Sequence, residues 1–207
     1  MRELVIDGRL IADSEPAYVV AEIGHNHAGG LARAQDMVLS AKDAGASAVK
    51  FQTRHPKEVY QRGTEPGMYD FTSDNPQWMD PTYGQHREKL EFTYEEWHEL
   101  FQYCRAHKIT AFSTPFDFSS ADLLNSLGVP AFKIASGDAT NIPLIEYVAK
   151  FKKPMIVSTG GVEIEDVDRI YKALVNQVPF ALLQCSCIYP APHNVLNLRA
   201  IATFRER

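Results

Sequence analysis

"FKIASGD", residues 132–138, is an apolar run that carries a lysine at its second position and then breaks into Ser-Gly-Asp. Burying a lone ammonium costs several kcal/mol, so Lys133 is paired, shifted in pKa, or aimed at something anionic. "SAVKFQT", residues 47–53, repeats the pattern with Lys50 and Gln52. Two lysines at matching points of two strand-like runs ask for one explanation, and the segments around them supply it.

Outward from these runs the chain alternates. "LVIDGRLI" (4–11) reads as a hairpin, two apolar arms around an Asp-Gly turn. "AYVVAEIG" (17–24) is a strand, and "GGLARAQDMVLSAKDAGA" (29–46) places Leu31, Ala34, Met37, Val38 and Ala41 at helical spacing. After the Lys50 strand comes a long segment, from Arg54 to about Leu90, rich in Pro, Gly, Asp and aromatics. "TYEEWHELFQYCRAHK" (93–108) is an amphipathic helix with Thr93 at the N-cap and Glu96 three residues on. The strand "TAFSTPF" (110–116), the helix "SSADLLNSLG" (119–128), the strand "AFKIAS" (131–136) and the proline-opened helix "IPLIEYVAKF" (142–151) follow. "PMIVSTG", "EIEDVDRIYKALVNQ" and "FALLQCS" give a further strand, helix and strand, and "NVLNLRAIATFRER" begins another helical segment.

Alternation of this kind specifies a parallel sheet with covering helices, either doubly wound or closed into a barrel. A doubly wound dinucleotide fold predicts G-x-G-x-x-G after the first strand, and "EIGHNHAGG" (22–30) does not match it. A barrel predicts polar residues at the carboxyl end of nearly every strand. They are present: Glu22; Lys50 and Gln52; Ser113 and Thr114; Lys133, Ser136 and Asp138; Ser158 and Thr159; Gln184 and Ser186. The expected fold is α/β, a TIM (β/α)8 barrel preceded by an N-terminal β-hairpin. Only six βα units are visible in 207 residues, where a whole barrel takes about eight units and about 250 residues. The barrel is therefore expected to be truncated after the sixth unit.

Composition narrows the function. Hydrophobic content of 45%, charged content of 23% and a net charge of −5 describe an ordinary soluble domain, with no basic field for nucleic acid or an anionic membrane. No apolar run approaches the roughly 20 residues of a membrane span, and "MRELVIDGRL" lacks a signal-peptide core. Cys104, Cys185 and Cys187 have no framework spacing and are expected as reduced thiols in a cytoplasmic protein; "CSC" is too tight for a usual zinc site.

In a barrel Lys50 and Lys133 would face one pocket from the second and fourth strands, and two converging ammonium groups repel unless an anion lies between them. Thr114, Ser136 and Ser158 add neutral donors suited to phosphate or carboxylate oxygens. The plainer alternative is that each lysine is salt-bridged or snorkels to the surface. Glu22 and Asp138 are the acid–base candidates, or else they simply neutralise the lysines. His25 and His27 could chelate a metal on their loop, although loop capping or hydrogen bonding explains such a pair as well. The long segment after the second strand, with His86, Tyr60, Tyr69, Phe71, Trp78 and Tyr83, either lines a sugar site or packs on itself.

"AEIGHNHAGGLARAQDMVLSAKDAGASAVKFQT" (21–53) resembles the opening of the sialic acid synthase family, the N-acetylneuraminate synthases and their relatives. "TYGQHREKLEF", "FSTPF", "KIASGDATNIPLIEY", "KPMIVSTGG" and "CIYPAPHNVLNLRAI" continue the match in order over almost the whole chain. The resemblance implies a synthase that condenses phosphoenolpyruvate with an N-acyl-mannosamine, its 6-phosphate or a related N-acyl hexosamine, releasing phosphate. It implies a divalent metal, commonly manganese. Lys50, Gln52, Thr114, Lys133, Ser136 and Ser158 match positions that hold phosphoenolpyruvate, Glu22 and Asp138 the acidic pair, and Tyr189 a residue at the acceptor sugar. Cys187 stands where some members have an asparagine, and His25 replaces a more usual apolar residue.

Family members continue through two more strands carrying the metal-binding histidines, then an antifreeze-like domain that reaches a neighbouring subunit's site, as in a homodimer. Residues 1–207 are thus expected to be the N-terminal part of a synthase barrel, with no metal ligands of their own and those ligands beyond Arg207. A non-catalytic anion- or sugar-binding fragment is the alternative. Taken alone, six strands should leave apolar edges on the first and the last.

Overall fold

A computed structural model describes residues 3–60, 68–72 and 80–206. The hairpin strands are β1 (Glu3–Ile6) and β2 (Arg9–Ala12). Then follow β3 (Val20–Gly24), α1 (Leu31–Asp43), β4 (Ala48–Thr53), α2 (Pro56–Val59), α3 (Tyr83–Glu88), α4 (Tyr94–Ala106), β5 (Thr110–Pro115) and α5 (Phe118–Ser126). The rest comprises β6 (Phe132–Ile134), α6 (Ile142–Ala149), β7 (Met155–Ser158), α7 (Ile164–Leu174), β8 (Phe180–Leu183) and α8 (Ala200–Glu206). These form two compact units, one of residues 17–129 and one combining the N-terminal hairpin with the chain from residue 130 onward. None of the described helices is long and apolar enough to cross a membrane.

In the unit of residues 17–129, β3, β4 and β5 run parallel, with Glu22 opposite Lys50 and Gln52 opposite Thr114. The period of two along β4 divides its side chains. Val49, Phe51 and Thr53 are buried, Phe51 edge-on to Trp97 and Phe101 of α4 at 5.8 and 6.3 Å. Lys50 and Gln52 take the other face and remain half-buried. The start of α4 is the expected capping box: Thr93 Oγ1 accepts from the Glu96 amide at 3.2 Å, and Glu96 Oε2 accepts from the Thr93 amide at 2.8 Å.

The other unit holds β6, β7 and β8, again parallel, with Lys133 opposite Ile156 and Ser158 opposite Leu183. Helix α6 begins at Asn141, whose side chain accepts from the Leu144 amide at 3.3 Å. The β1–β2 turn places Asp7 and Gly8 at φ 51° and 77°, the two left-handed residues that a tight Asp-Gly hairpin needs. Arg205 of α8 donates to Asp13 Oδ1 at 2.7 Å, tying the hairpin's end to the last helix. β7 is buried throughout, whereas β8 is half-exposed. Among the described residues β3 pairs only with β4 and β8 only with β7, so each has one open edge, as expected.

Several details differ from the sequence reading. β8 ends at Leu183, so Gln184 and Ser186 lie beyond it; their side chains donate to the Leu196 and Val195 carbonyls at 3.3 and 2.8 Å and hold a loop. β6 ends at Ile134, and Ser136–Asp138 form a single 3-10 turn. Ser113 faces away from Thr114, sharing a 2.8 Å hydrogen bond with Thr53. In the segment from 54 to 90, Tyr60 packs edge-on against Tyr83 at 5.0 Å, and Tyr69 is buried with its hydroxyl donating to Glu88 at 2.7 Å. These aromatics pack the segment on itself; Phe71 is exposed, and Trp78 lies outside the described residues.

Candidate functional site

Two polar clusters form at carboxyl ends of parallel strands, one in each unit. In the first, register alone sets Glu22 beside Lys50, and Lys50 Nζ forms an ion pair with Glu22 Oε2. The same ammonium donates to Thr114 Oγ1 at 3.4 Å, and Gln52 Nε2 donates to Glu22 Oε1 at 3.4 Å. Gly24 makes this convergence possible. It sits at φ 54°, and a Cβ there would lie 3.0 Å from Glu22 Oε1 and 3.3 Å from Gln52 Nε2. Glu22, Lys50, Gln52 and Thr114 are thus brought together. Lys50 does pair with a carboxylate, the plainer of its two readings, and Glu22 is the residue that neutralises it.

In the second cluster Lys133 is buried, and its ammonium donates to Ser158 Oγ at 2.5 Å and to the Ile134 carbonyl at 2.6 Å. Ser136 Oγ accepts from the Gly160 amide at 3.1 Å. A Cβ on Gly160 would meet Cys187 Sγ at 2.7 Å and Ser136 Oγ at 2.9 Å, so glycine is what lets these side chains converge. Thr159 hydrogen-bonds the Leu183 carbonyl at 2.9 Å and locks the strand ends. Asp138, half-buried, accepts from Asn141 Nδ2 at 3.4 Å. Tyr189 is not drawn in: it is 94% exposed.

The sequence did not reveal a third network, beside Gln52. Arg54 is buried, with its guanidinium 4.0 Å over the Phe116 ring; Nη1 donates to Tyr60 Oη at 2.9 Å and Nη2 to Gln52 Oε1 at 2.6 Å. Glu91 Oε2 accepts from the Arg54 amide at 3.1 Å, while Oε1 lies 3.6 Å from Arg54 Nε and 2.9 Å from His25 Nε2, both outside hydrogen-bonding geometry. His27 is 1% exposed, stacked on Phe92 at 4.3 Å, and its Nδ1 accepts from the Gly29 amide at 3.2 Å. Burial, then the neighbouring His25, lowers its pKa to about 4. His27 is therefore part of the loop's packing.

His55, Glu58 and Asp117 form a possible metal-binding set, with three potential ligand atoms within 4.8 Å of one another. The acceptor sites of Asp117 are already engaged. Asp117 caps α5, accepting from the Ser120 amide at 2.6 Å, Ser120 Oγ at 2.8 Å and the His55 amide at 2.7 Å. His55 Nδ1 lies 3.2 Å from Asp117 Oδ1, and Ser119 donates to both Glu58 oxygens at 2.9 Å. As arranged, the set suits a helix cap and does not fit a metal ion without losing it.

Comparison with known proteins agrees with the motifs. A sequence profile of the NeuB family matches residues 37–207. The chain is 37% identical to Uncharacterized protein MJ1065 of Methanocaldococcus jannaschii, over 100% of this chain and 57% of that protein. It is 32% identical to the N-acetylneuraminate-9-phosphate synthase of Homo sapiens, over 96% of this chain and 55% of the relative. It spans little more than half the length of these curated relatives. The crystal structure of an N-acetylneuraminic acid (sialic acid) synthetase from Leptospira borgpetersenii superposes with a TM-score of 0.83 at 28% identity, over 99% of this chain and 66% of that one. With its profile match and its shared fold, the chain belongs to the NeuB family.

Proposed function

We propose that the protein carrying this chain condenses phosphoenolpyruvate with an N-acyl-mannosamine or a related N-acyl hexosamine, giving a nonulosonic acid and inorganic phosphate. One observation carries the reading: a lysine beside a hydroxyl of the neighbouring parallel strand occurs twice, as Lys50 with Thr114 and Lys133 with Ser158. Each pair is a cation beside a neutral hydroxyl, suited to anionic oxygens such as those of phosphoenolpyruvate, which on Lys50 would take the place of Glu22. In the reaction the C2–C3 π electrons of phosphoenolpyruvate bond C3 to the aldehyde carbon of the open-chain sugar, the aldehyde oxygen takes up a proton to become a hydroxyl, and water adds to the cationic C2. The C2–O bond then breaks and phosphate leaves. Lys50 and Lys133 offset the charge on the departing phosphate, and Glu22 or Asp138 takes the proton of the water.

The acceptor is proposed to be unphosphorylated. Of the five cations near this segment that could meet a phosphate, Arg62 lies outside the described residues. Arg54 is engaged by Gln52 and Tyr60, Lys57 by Glu88, Arg87 by Tyr83 and Lys89 by Asp80, which supports an acceptor without a phosphate group. The full-length protein is proposed to be a cytoplasmic homodimer using a divalent metal, with manganese the first choice; no step above runs through that ion. The intact protein, given phosphoenolpyruvate, N-acetylmannosamine and Mn2+, should form a nonulosonic acid detectable by mass spectrometry. Failure with this sugar and with related N-acyl hexosamines refutes the reading, and exclusive use of 6-phosphates overturns the choice of acceptor.

A further inference from the structure

We propose that Arg54 is a positioning residue that fixes the polarity of the Gln52 amide, turning its NH2 group, a donor, toward the ligand. This rests on the reading of the Lys50–Gln52 face as a ligand-binding face. A carboxamide has two ends of nearly equal shape, and the partners at one end decide what the other presents. A guanidinium has donors only. At 2.6 Å from Arg54 Nη2 the Gln52 atom must be the carbonyl oxygen, because an NH2 there would set hydrogens against hydrogens.

The guanidinium cannot turn to relieve such a clash. Tyr60 Oη holds Nη1, the Phe116 ring lies 4.0 Å beneath the plane, and Glu91 lies against Nε and the backbone amide of Arg54. Arg54 is 6% exposed, so water does not supply an alternative acceptor or donor. Gln52 Nε2 is thereby directed toward Glu22 Oε1 at 3.4 Å, on the same face as Lys50 Nζ. Gln52 and Lys50 then both present N–H donors there, which Glu22 accepts, and a ligand's carboxylate, phosphate or carbonyl oxygen takes the place of Glu22 on them. An amide turned the other way would set its carbonyl oxygen against Glu22 Oε1 and leave Lys50 as the donor on the face.

Gln52→Glu separates the two cases in the intact protein. Arg54 pairs with the new carboxylate while its outward atom becomes an acceptor facing Glu22, and thermal melting establishes that the variant is folded where KM is read. The KM of phosphoenolpyruvate or of the sugar acceptor should rise at least tenfold; unchanged values for both overturn the proposal. Arg54→Met tests the positioning without any ligand. Solvent exchange of the Gln52 side-chain NH2, followed by NMR, should speed up at least tenfold, and Arg54→Lys, still donor-only, should return it to within threefold of wild type. Equal exchange in wild type and Arg54→Met also overturns it. If Arg54→Met does not fold, Arg54→Lys and Gln52→Glu decide. A wild type that binds neither substrate refutes the functional reading, while the exchange experiment still decides what Arg54 does.

Discussion

Replacing Lys133 by methionine should separate binding from folding. The ammonium makes charged hydrogen bonds to Ser158 Oγ at 2.5 Å and the Ile134 carbonyl at 2.6 Å. Bonds to a charged donor contribute about 1.5–3 kcal/mol each. Against this, holding an ammonium out of water at a buried site costs several kcal/mol, and an apolar residue of similar volume removes that cost. The terms offset, and the unfolding free energy of Lys133→Met should stay within about 2 kcal/mol of wild type. Ligand binding has no such offset. A unit negative charge about 4 Å from Nζ gains about 4 kcal/mol at an effective dielectric near 20, or about a thousandfold in affinity. Calorimetric titration of the intact protein with phosphoenolpyruvate, paired with urea unfolding, measures both. Affinity within threefold of wild type in a folded Lys133→Met protein refutes the role given to this lysine.

Other expectations follow from the same geometry. Gly160→Ala brings a Cβ to 2.7 Å from Cys187 Sγ and 2.9 Å from Ser136 Oγ. Ser136 must then give up its bond from the Gly160 amide, so stability should fall by about 1 kcal/mol and phosphoenolpyruvate affinity about fivefold. Adding Cys187→Ala should recover part of both, and unchanged binding in the single variant counts against the cluster. His27, depressed to about 4 from an ordinary 6.5, takes its proton first in the unfolded chain. Its contribution of about 3 kcal/mol is therefore full above pH 6.5 and is lost as pH falls toward 4. Urea unfolding at pH 7.5 and 4.5 should show a smaller difference for His27→Gln than for wild type, and equal differences would show the assignment to be wrong. Thr93→Ala removes one half of the α4 capping box and should cost about 1 kcal/mol with ligand affinity unchanged; a change in affinity would tie α4 to the site.

What was legible in the sequence is local. The Asp-Gly hairpin, the Thr93–Glu96 cap and the strands that carry Lys50 and Lys133 each depend on neighbours a few residues away, and each is found as read. Of the two polar residues at the end of β5 only Thr114 reaches Lys50, because alternation along the strand sends Ser113 to the opposite face. Arg54 is different. Its neighbours in "QTRHPK" suggest a solvated charge, and the partners that bury it include Glu91 and Phe116, 37 and 62 positions further on. No spacing rule reaches so far. For the same reason His25 could not be matched to Glu91, nor His55 to Asp117, before the fold was known.

The proposed reaction breaks the C–O bond, and not the P–O bond, of phosphoenolpyruvate while joining it to an N-acyl hexosamine. The most direct test uses phosphoenolpyruvate labelled with 18O at the bridging oxygen, turned over by the intact protein with N-acetylmannosamine and Mn2+. The account predicts that the label leaves with inorganic phosphate, formed in equal amount to the nonulosonic acid. Label retained in the sugar acid, or phosphate released without any sugar acid, would contradict it.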